Sequence, residues 1–510
     1  MATGAVTPEG GKALPPGGQA ASRSTATLLI LAVLVVVSFA LRSSQLGAGF
    51  WIDEGISVGI AHHHWTSIPH LLRQDGSPPL YYMLLGLWIR VFGDSERATH
   101  ALSLLFALAC IPLGYATARS LFDRRTALIC AALVAFDPFL TYYGQETRMY
   151  ALEAFLSLLV ALAYVNGIVR GQRPWAAVLV VATALMVYTH NWGLFLCLAL
   201  AVTTVVFVRE RLRLFAVVAA GVAVLYLPWV PTVLEQVRHT GAPWSSKPSF
   251  HELLLAPGGV LGGDAPYVVF VLVAVAGLLV VARRTERALA GIVVVAILAA
   301  WVVSQVSPAW TTRYFAVILG PVVLLAAAAI ARAGKLGAVA LLVVLFLWWG
   351  YNLTDNKEDA RQVAATLAPS LHPGELVIST HPEQVPVLRY YLGGGLRFAT
   401  TLGPVPDPRV FDWRDAVDRL KAAQPRPTLG ALLATVPRGQ EFVVVAPVFR
   451  DYRAWDAPWT HLVWQRSTAW TALLSRDPRL RLERHIAVDE IATKVNYFKP
   501  LQAFVYRRVG

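Results

Sequence analysis

For about its first 350 residues the chain alternates apolar runs with short arginine-bearing turns; after that the pattern becomes a mixed one. The apolar runs fall at 25–42, 98–118, 126–140, 149–168, 175–189, 193–208, 213–230, 266–282, 288–305, 314–331 and 336–352. Several are long enough to cross the roughly 30 Å hydrocarbon core of a bilayer as helices. A further piece, 78–92, is apolar but short, with Arg90, Asp94, Glu96 and Arg97 at or just beyond its end. Whether it spans decides the topology of everything after it. If it does not, the basic turns Arg119/Arg124/Arg125, Arg170/Arg173, Arg209/Arg211/Arg213, Arg283/Arg284/Arg287 and Arg332/Lys335 all fall on the side of the N-terminus. The positive-inside rule makes that side cytoplasmic. If it does, all five clusters flip outward. The pattern therefore predicts an α-helical polytopic membrane protein with about eleven transmembrane helices and an interfacial helix over 78–92, inside a first extracytoplasmic loop, 43–97.

The two ends read differently. Residues 1–24 are rich in Gly, Ala and Pro with no apolar period, and are expected to form a disordered cytoplasmic tail. The run that follows is longer than a signal-peptide core, and 45–48 is a weak cleavage site, so a retained first helix is expected in a transmembrane domain of 25–354. Beyond residue 355, helices at 359–367, 383–392, 413–423 and 469–475 alternate with strands at 375–379, 396–400, 442–446, 480–488 and 502–508. That alternation predicts a small α/β domain over 355–510, extracytoplasmic by the same topology. No internal repeat is visible in the membrane part.

Composition narrows the class. The chain has 510 residues, 56% hydrophobic and 15% charged, and a mean hydropathy of +0.54, too apolar for a soluble globular protein. Cys110, Cys130 and Cys197 all lie in apolar runs, so neither a disulfide framework nor a cysteine metal site is implied. The net charge of +13 comes largely from short turns between apolar runs. It is a topology signal and gives no case for nucleic acid.

The topology gathers unusual polar residues on the outer face. Asp53 and Glu54 follow directly on the first apolar run, where charge needs a reason. Adjacent side chains on a helix point about 100° apart, so one carboxylate can accept a proton while the other orients it, binds a metal or caps a helix. The plainer reading is acid stabilising the first turn of a helix such as 54–64. Glu146, Tyr150 and Glu153 are spaced to share one helix face. Glu153, about a turn inside the membrane, needs a partner or a wet cavity, and the group equally fits a structural ion pair, with Arg148 as a cation for a neighbouring helix. Arg313-Tyr314 at the mouth of a helix suits a phosphate, which the guanidinium fork grips bidentately, or lipid headgroups by snorkelling. His190 reads as a hydrogen-bonded cap or a site residue. Three consecutive histidines, 62–64, cannot all face one ion on a helix, which argues against zinc. There is no P-loop, HExxH or G-x-S-x-G, and Gly258-Gly259 and Gly393–Gly395 lack the context of a phosphate cradle.

Four motifs occur in order: Trp51-Ile52-Asp53-Glu54; Ser77-Pro78-Pro79-Leu80-Tyr81-Tyr82; Gly93-Asp94-Ser95 with Arg97; and Gln145-Glu146-Thr147-Arg148-Met149-Tyr150-Ala151-Leu152. The series resembles the bacterial GT-C glycosyltransferases of the family-39 type, relatives of protein O-mannosyltransferases and of the aminoarabinose transferases that modify lipid A, over residues 25–350. The resemblance implies a bacterial inner-membrane enzyme. It would move a sugar, with inversion, from a polyprenyl-phosphate donor to an extracytoplasmic glycan, lipid or protein. It implies Asp53 as general base and Glu54 as its support. Arg313, Arg148 and Tyr314 would serve the donor phosphate, and Glu146 is the family's second acidic position. Trp51, Tyr81, Tyr82 and Tyr150 would stack on sugars, with His190 nearby. Ser77 stands where the lipid A-modifying relatives carry lysine. No cofactor is implied with certainty; a divalent metal cation on the adjacent acids is open.

Two other readings compete. A transporter would explain polar residues in a bundle, but its site belongs at the midplane between repeats. An inactive polyprenyl-lipid-binding scaffold would keep the same fold without the chemistry.

Overall fold

A computed structural model describes residues 16–277, 283–349, 357, 359–449, 456–487 and 500–510. Within the described residues each of the expected apolar runs is helical; the ends of two of them, 278–282 and 350–352, lie outside the described residues. The first helix, Pro16–Arg42, begins inside the stretch expected to be a disordered tail; residues 1–15 and the boundary expected at 354 lie outside the described residues. Among the described residues, six helices are long and apolar enough to cross a membrane alone, seven if the bent pair Phe250–Val260 and Asp264–Ala276 is one span. Four shorter apolar helices, among them Leu80–Phe92 and Gly334–Trp349, accompany them. The outward faces are apolar: Val33, Val36, Val217, Val224, Leu342 and Phe346 are all exposed, as lipid-facing surfaces must be.

Contacts at the arginine-bearing turns show that they share one end of the bundle. Arg170 donates to the Ser120 and Leu121 carbonyls, Arg125 to that of Gly334 and Arg284 to that of Phe207, while Arg332 pairs with Glu286. Inside the apolar part, Arg42 is fully buried and caps the Ala107 and Val134 carbonyls at 3.0 and 2.6 Å. Its guanidinium thereby satisfies backbone freed where Pro138 interrupts the helix Arg124–Phe136.

The opposite end is built from the 43–97 segment and the C-terminal part. That segment holds three helices: Ile52–Ala61, Ile68–Asp75 and Leu80–Phe92. The C-terminal part is a six-stranded sheet. Its strands are β1 (Leu376–Ser379), β2 (Arg397–Thr400), β3 (Gly403–Pro404), β4 (Glu441–Pro447), β5 (Leu480–Ile486) and β6 (Leu501–Arg508), in the order β3-β2-β1-β4-β6-β5. β1 pairs in parallel with β2 and β4; the remaining pairs are antiparallel. The central strand β1 is buried throughout, hence its unbroken Leu-Val-Ile run. One face packs on helices Ala360–Leu367 and Val385–Leu392, and on Phe50 and Val58 of the membrane part. The other packs on helices Pro425–Ala434 and Pro458–Arg476. The first of these and the N-terminal half of the second are not foreseen from the sequence: Pro425 and Pro458 look like breaks but sit in first turns, where a missing N–H costs nothing.

The joint runs along helix Ile52–Ala61. A Cβ on Gly59 would lie 2.0 Å from the Arg409 carbonyl oxygen, and one on Gly55 would lie 2.7 Å from the Val387 backbone. At Gly55 and Gly59 the helix thus lets the backbone of the sheet domain approach closely.

Candidate active site

Helix Ile52–Ala61 starts where Trp51 is extended and the Glu54 carboxylate turns back to accept from the Trp51 amide at 3.3 Å. Glu54 is fully buried. It also accepts from the Thr147 amide at 2.7 Å and from Lys357 at 2.9 Å, and lies 2.7 Å from His100 Nε2. Burial alone would raise its pKa, but the charges of Lys357 and His100 outweigh that and hold it well below the carboxylate range. Both oxygens are saturated, so Glu54 braces the site and does not face a cavity.

Asp53 points the other way. Its Oδ2 lies 3.4 Å from Arg313 Nη2 and 3.8 Å from Arg148 Nη2. Arg148 is fixed from below, with Nη1 3.0 Å from Ser57 Oγ and 3.3 Å from the Tyr82 hydroxyl. The Arg313 guanidinium carbon lies 5.5 Å from the Trp51 ring centroid and 5.6 Å from that of Tyr314, within cation–π range.

Two cavities meet at this point. One, about 550 Å³, is lined by Asp53, Arg148, His190, Tyr314 and residues of the sheet domain. The other, about 780 Å³, is lined by Glu146, Lys357, Gly258, Gly259 and an apolar and aromatic group that includes Phe139, Tyr142 and Tyr143. Trp51, Trp310, Thr311 and Arg313 line both.

Three expected substrate contacts are corrected. Tyr81 and Tyr82 are fully buried; their hydroxyls reach Ser103 and Asp75 rather than a cavity. Tyr150 is buried beneath Arg148. Helix Leu80–Phe92 turns Tyr81 and Tyr82 inward, with the Tyr82 hydroxyl under Arg148, and none of the three tyrosines lines either cavity. Glu146 sits in a turn ahead of helix Tyr150–Tyr164 instead of sharing its face. The partner that Glu153 needs is not Arg148, which is committed to Asp53, Ser57 and Tyr82; the nearest polar side chain is the His190 ring, with Nδ1 3.7 Å away.

Burial first, then Glu54, raises the Glu146 pKa to about 8, so it is mostly protonated at neutral pH. Burial and the two arginines lower that of His190 to about 3, leaving a neutral ring whose Nδ1 accepts from the Trp192 amide. A cation shared by Asp53 and Glu54 does not fit, because the first faces two arginines and the second a lysine. Among the described residues no cluster of three or more His, Cys, Asp or Glu side chains has metal-holding geometry. His62, His63 and His64 bond separately to Asp94, Asp407 and Thr66.

Lys357, His100 and Trp310 were not singled out by the sequence. Lys357 follows the last apolar run within the polar stretch Thr354-Asp355-Asn356-Lys357-Glu358, and nothing local distinguishes it from a linker lysine.

The model of the dolichyl-phosphate-mannose-protein mannosyltransferase family matches residues 76–234, which include Glu146, Arg148 and His190 but not Asp53 or Arg313. No curated protein is significantly similar in sequence. Among solved structures, ArnT from Cupriavidus metallidurans bound to undecaprenyl phosphate is similar at a TM-score of 0.61 and 16% identity, over 94% of this chain and 98% of that one. The apo oligosaccharyltransferase from Archaeoglobus fulgidus is similar at 0.54 and 13%, over 82% of this chain and 69% of that one. The chain has the GT-C glycosyltransferase fold.

Proposed function

We propose that the protein is a multi-pass glycosyltransferase of the bacterial inner membrane, with its sheet domain (355–510) outside the cytoplasm beyond a transmembrane domain of 25–354. It transfers a sugar from a polyprenyl-phosphate donor to an extracytoplasmic acceptor. The observation that carries this reading is Arg313: it borders both cavities and contacts Asp53.

The lipid phosphate enters the larger cavity, where Arg313 and Lys357 are the cations and the aromatic and apolar wall takes isoprene units. The acceptor occupies the smaller one. Asp53 takes the proton of the acceptor hydroxyl, whose oxygen forms a bond to the anomeric carbon on the face opposite the phosphate. The bond from that carbon to the phosphate oxygen breaks, its electron pair goes to the lipid phosphate, and the configuration inverts. Arg313, with Arg148, holds the charge that develops there. As the arginines turn to the phosphate, Asp53 is released for its proton. Support also comes from the ArnT structure with undecaprenyl phosphate and an Archaeoglobus fulgidus AglB structure with an inhibitory peptide and a dolichol-phosphate; both hold a lipid phosphate in a related fold.

Asp53→Asn is the direct test. Purified variant and wild type are given a panel of polyprenyl-phosphate sugars and donor turnover is followed. The expected result is normal expression and membrane insertion with turnover down by about 100-fold or more, the usual scale for a lost general base. Full activity in the variant excludes Asp53 as the base.

A further inference from the structure

Among the described residues the smaller cavity is closed toward the sheet domain. Its lining residues there, Glu383, Trp413 and Thr460, are all buried. Main-chain bonds hold this roof down: the Trp413 amide donates to the Gln74 carbonyl at 2.8 Å, that of Asp415 to His239 at 2.7 Å and that of Trp459 to Pro243 at 3.0 Å. The Trp244 and Trp413 rings pack edge to face with centroids 4.5 Å apart, so nothing passes between them. The way in lies elsewhere. Of the residues lining the cavity, five are exposed: Leu194, Val237, Gly241, Val303 and Ser307. They belong to the start of helix Gly193–Phe207, to the end of helix Val230–His239 with the turn beyond it, and to the end of helix Arg284–Ser304 with the turn beyond it.

This mouth is apolar and faces sideways. Val237 is 75% exposed, so its side chain projects outside the cavity that it borders. Leu198, Leu234, Val302 and Val306, on the same three elements or just beyond them, are exposed as well, and none of the five mouth residues is charged. Helix length gives the depth. Helix Arg284–Ser304 begins at an arginine-bearing turn and has 21 residues, which at about 1.5 Å each cover the roughly 30 Å hydrocarbon core. Val303 therefore stands at the far edge of that core. Arg238, exposed beside Val237, suits the headgroup zone, where a long cation can snorkel. The opening thus stands where lipid chains give way to headgroups.

We propose that the gap bordered by Leu194, Val237 and Val303 is a lateral entrance, and that the acceptor is an amphiphile of the outer leaflet. Its chains stay in the bilayer while a hydroxyl-bearing headgroup passes between the helices to Asp53. A soluble peptide or glycan meets the closed roof instead. This rests on the smaller cavity being the acceptor's. The test uses the full chain in phosphatidylethanolamine–phosphatidylglycerol vesicles doped with a diglycosyl diacylglycerol or with phosphatidylinositol, each carrying a diazirine on its headgroup. After irradiation and peptide mapping, at least one of the two lipids is expected to label residues inside the cavity, such as Asn191 and Thr311. The same headgroup without acyl chains, added to the water in equal amount, should label them at least tenfold less. Val237→Trp, which narrows the mouth, should cut the lipid's labelling at least fivefold, and Val303→Trp is read the same way if that variant is not recovered. Leu227→Trp, exposed but outside the lining, should label like wild type. Undecaprenyl phosphate in the vesicles should leave the labelling intact. No label inside the cavity, equal label from the soluble headgroup, or unchanged label in the mouth variants overturns the proposal. So does suppression by undecaprenyl phosphate, which would make the mouth the donor's. Turnover of polyprenyl-phosphate sugars, followed in the same vesicles, reads the glycosyltransferase proposal by itself: label without turnover sinks that reading and leaves the entrance.

Discussion

At the scale of single residues, the two adjacent acids have divided their work completely. Asp53 meets two arginines at a cavity wall, and Glu54 is sealed behind it with four donors around it. A buried pair that loses one partner leaves the other charge uncompensated, at a cost of about 3–5 kcal/mol. Glu54→Gln is therefore expected to lower stability by that order, read as a lower thermal midpoint and poor recovery from membranes. Asp53→Asn keeps the fold, since Asp53 is partly exposed. Equal midpoints for the two variants contradict this division. Adjacent acids at a membrane edge could be seen in the sequence; which of them faces the cavity could not. It depends on Lys357, which meets Glu54 from the far end of the membrane part.

At the scale of elements, helix Ile52–Ala61 carries Asp53 and bears the sheet domain. Just beyond its C-terminus it is tied to that domain by His63, whose Nε2 lies 2.8 Å from Asp407. The hydrogen bond to Asp407, outweighing burial, raises the imidazole above its ordinary value of 6.5; the same bond lowers the Asp407 carboxyl. The folded state thus binds the His63 proton more tightly than the unfolded chain. Its contribution is full below about pH 6.5 and is lost as pH rises through the higher folded value. On the acid side it fades once Asp407 protonates. His63→Gln should accordingly lower the thermal midpoint more at pH 6 than at pH 8.5. An equal drop at both values would show that the pair is not a charged one. The apolar runs made the membrane helices legible, and alternation did the same for most strands. The close approach of the sheet domain was not, because Gly55 and Gly59 in an apolar helix look like helix-weakening residues until the Arg409 and Val387 backbones are brought against them.

Across the whole molecule, the membrane bundle and the sheet domain each supply part of the chamber around Asp53. The polar end of the bundle was readable because arginine-bearing turns mark the opposite end. The participation of Trp413 and Glu383 was not, since sequence separation gives no measure of how a second domain folds back. Trp51, Trp310, Thr311 and Arg313 are shared by the linings of the two cavities. If donor and acceptor occupy the two cavities as proposed, both can be bound at once, and neither must leave before the other arrives. Steady-state rates should then give intersecting, not parallel, double-reciprocal lines. A non-transferable lipid phosphate should compete with the donor while acting noncompetitively against the acceptor. Parallel lines would mean that the sugar rests on the protein between two half-reactions, and that the two cavities separate events in time as well as in space.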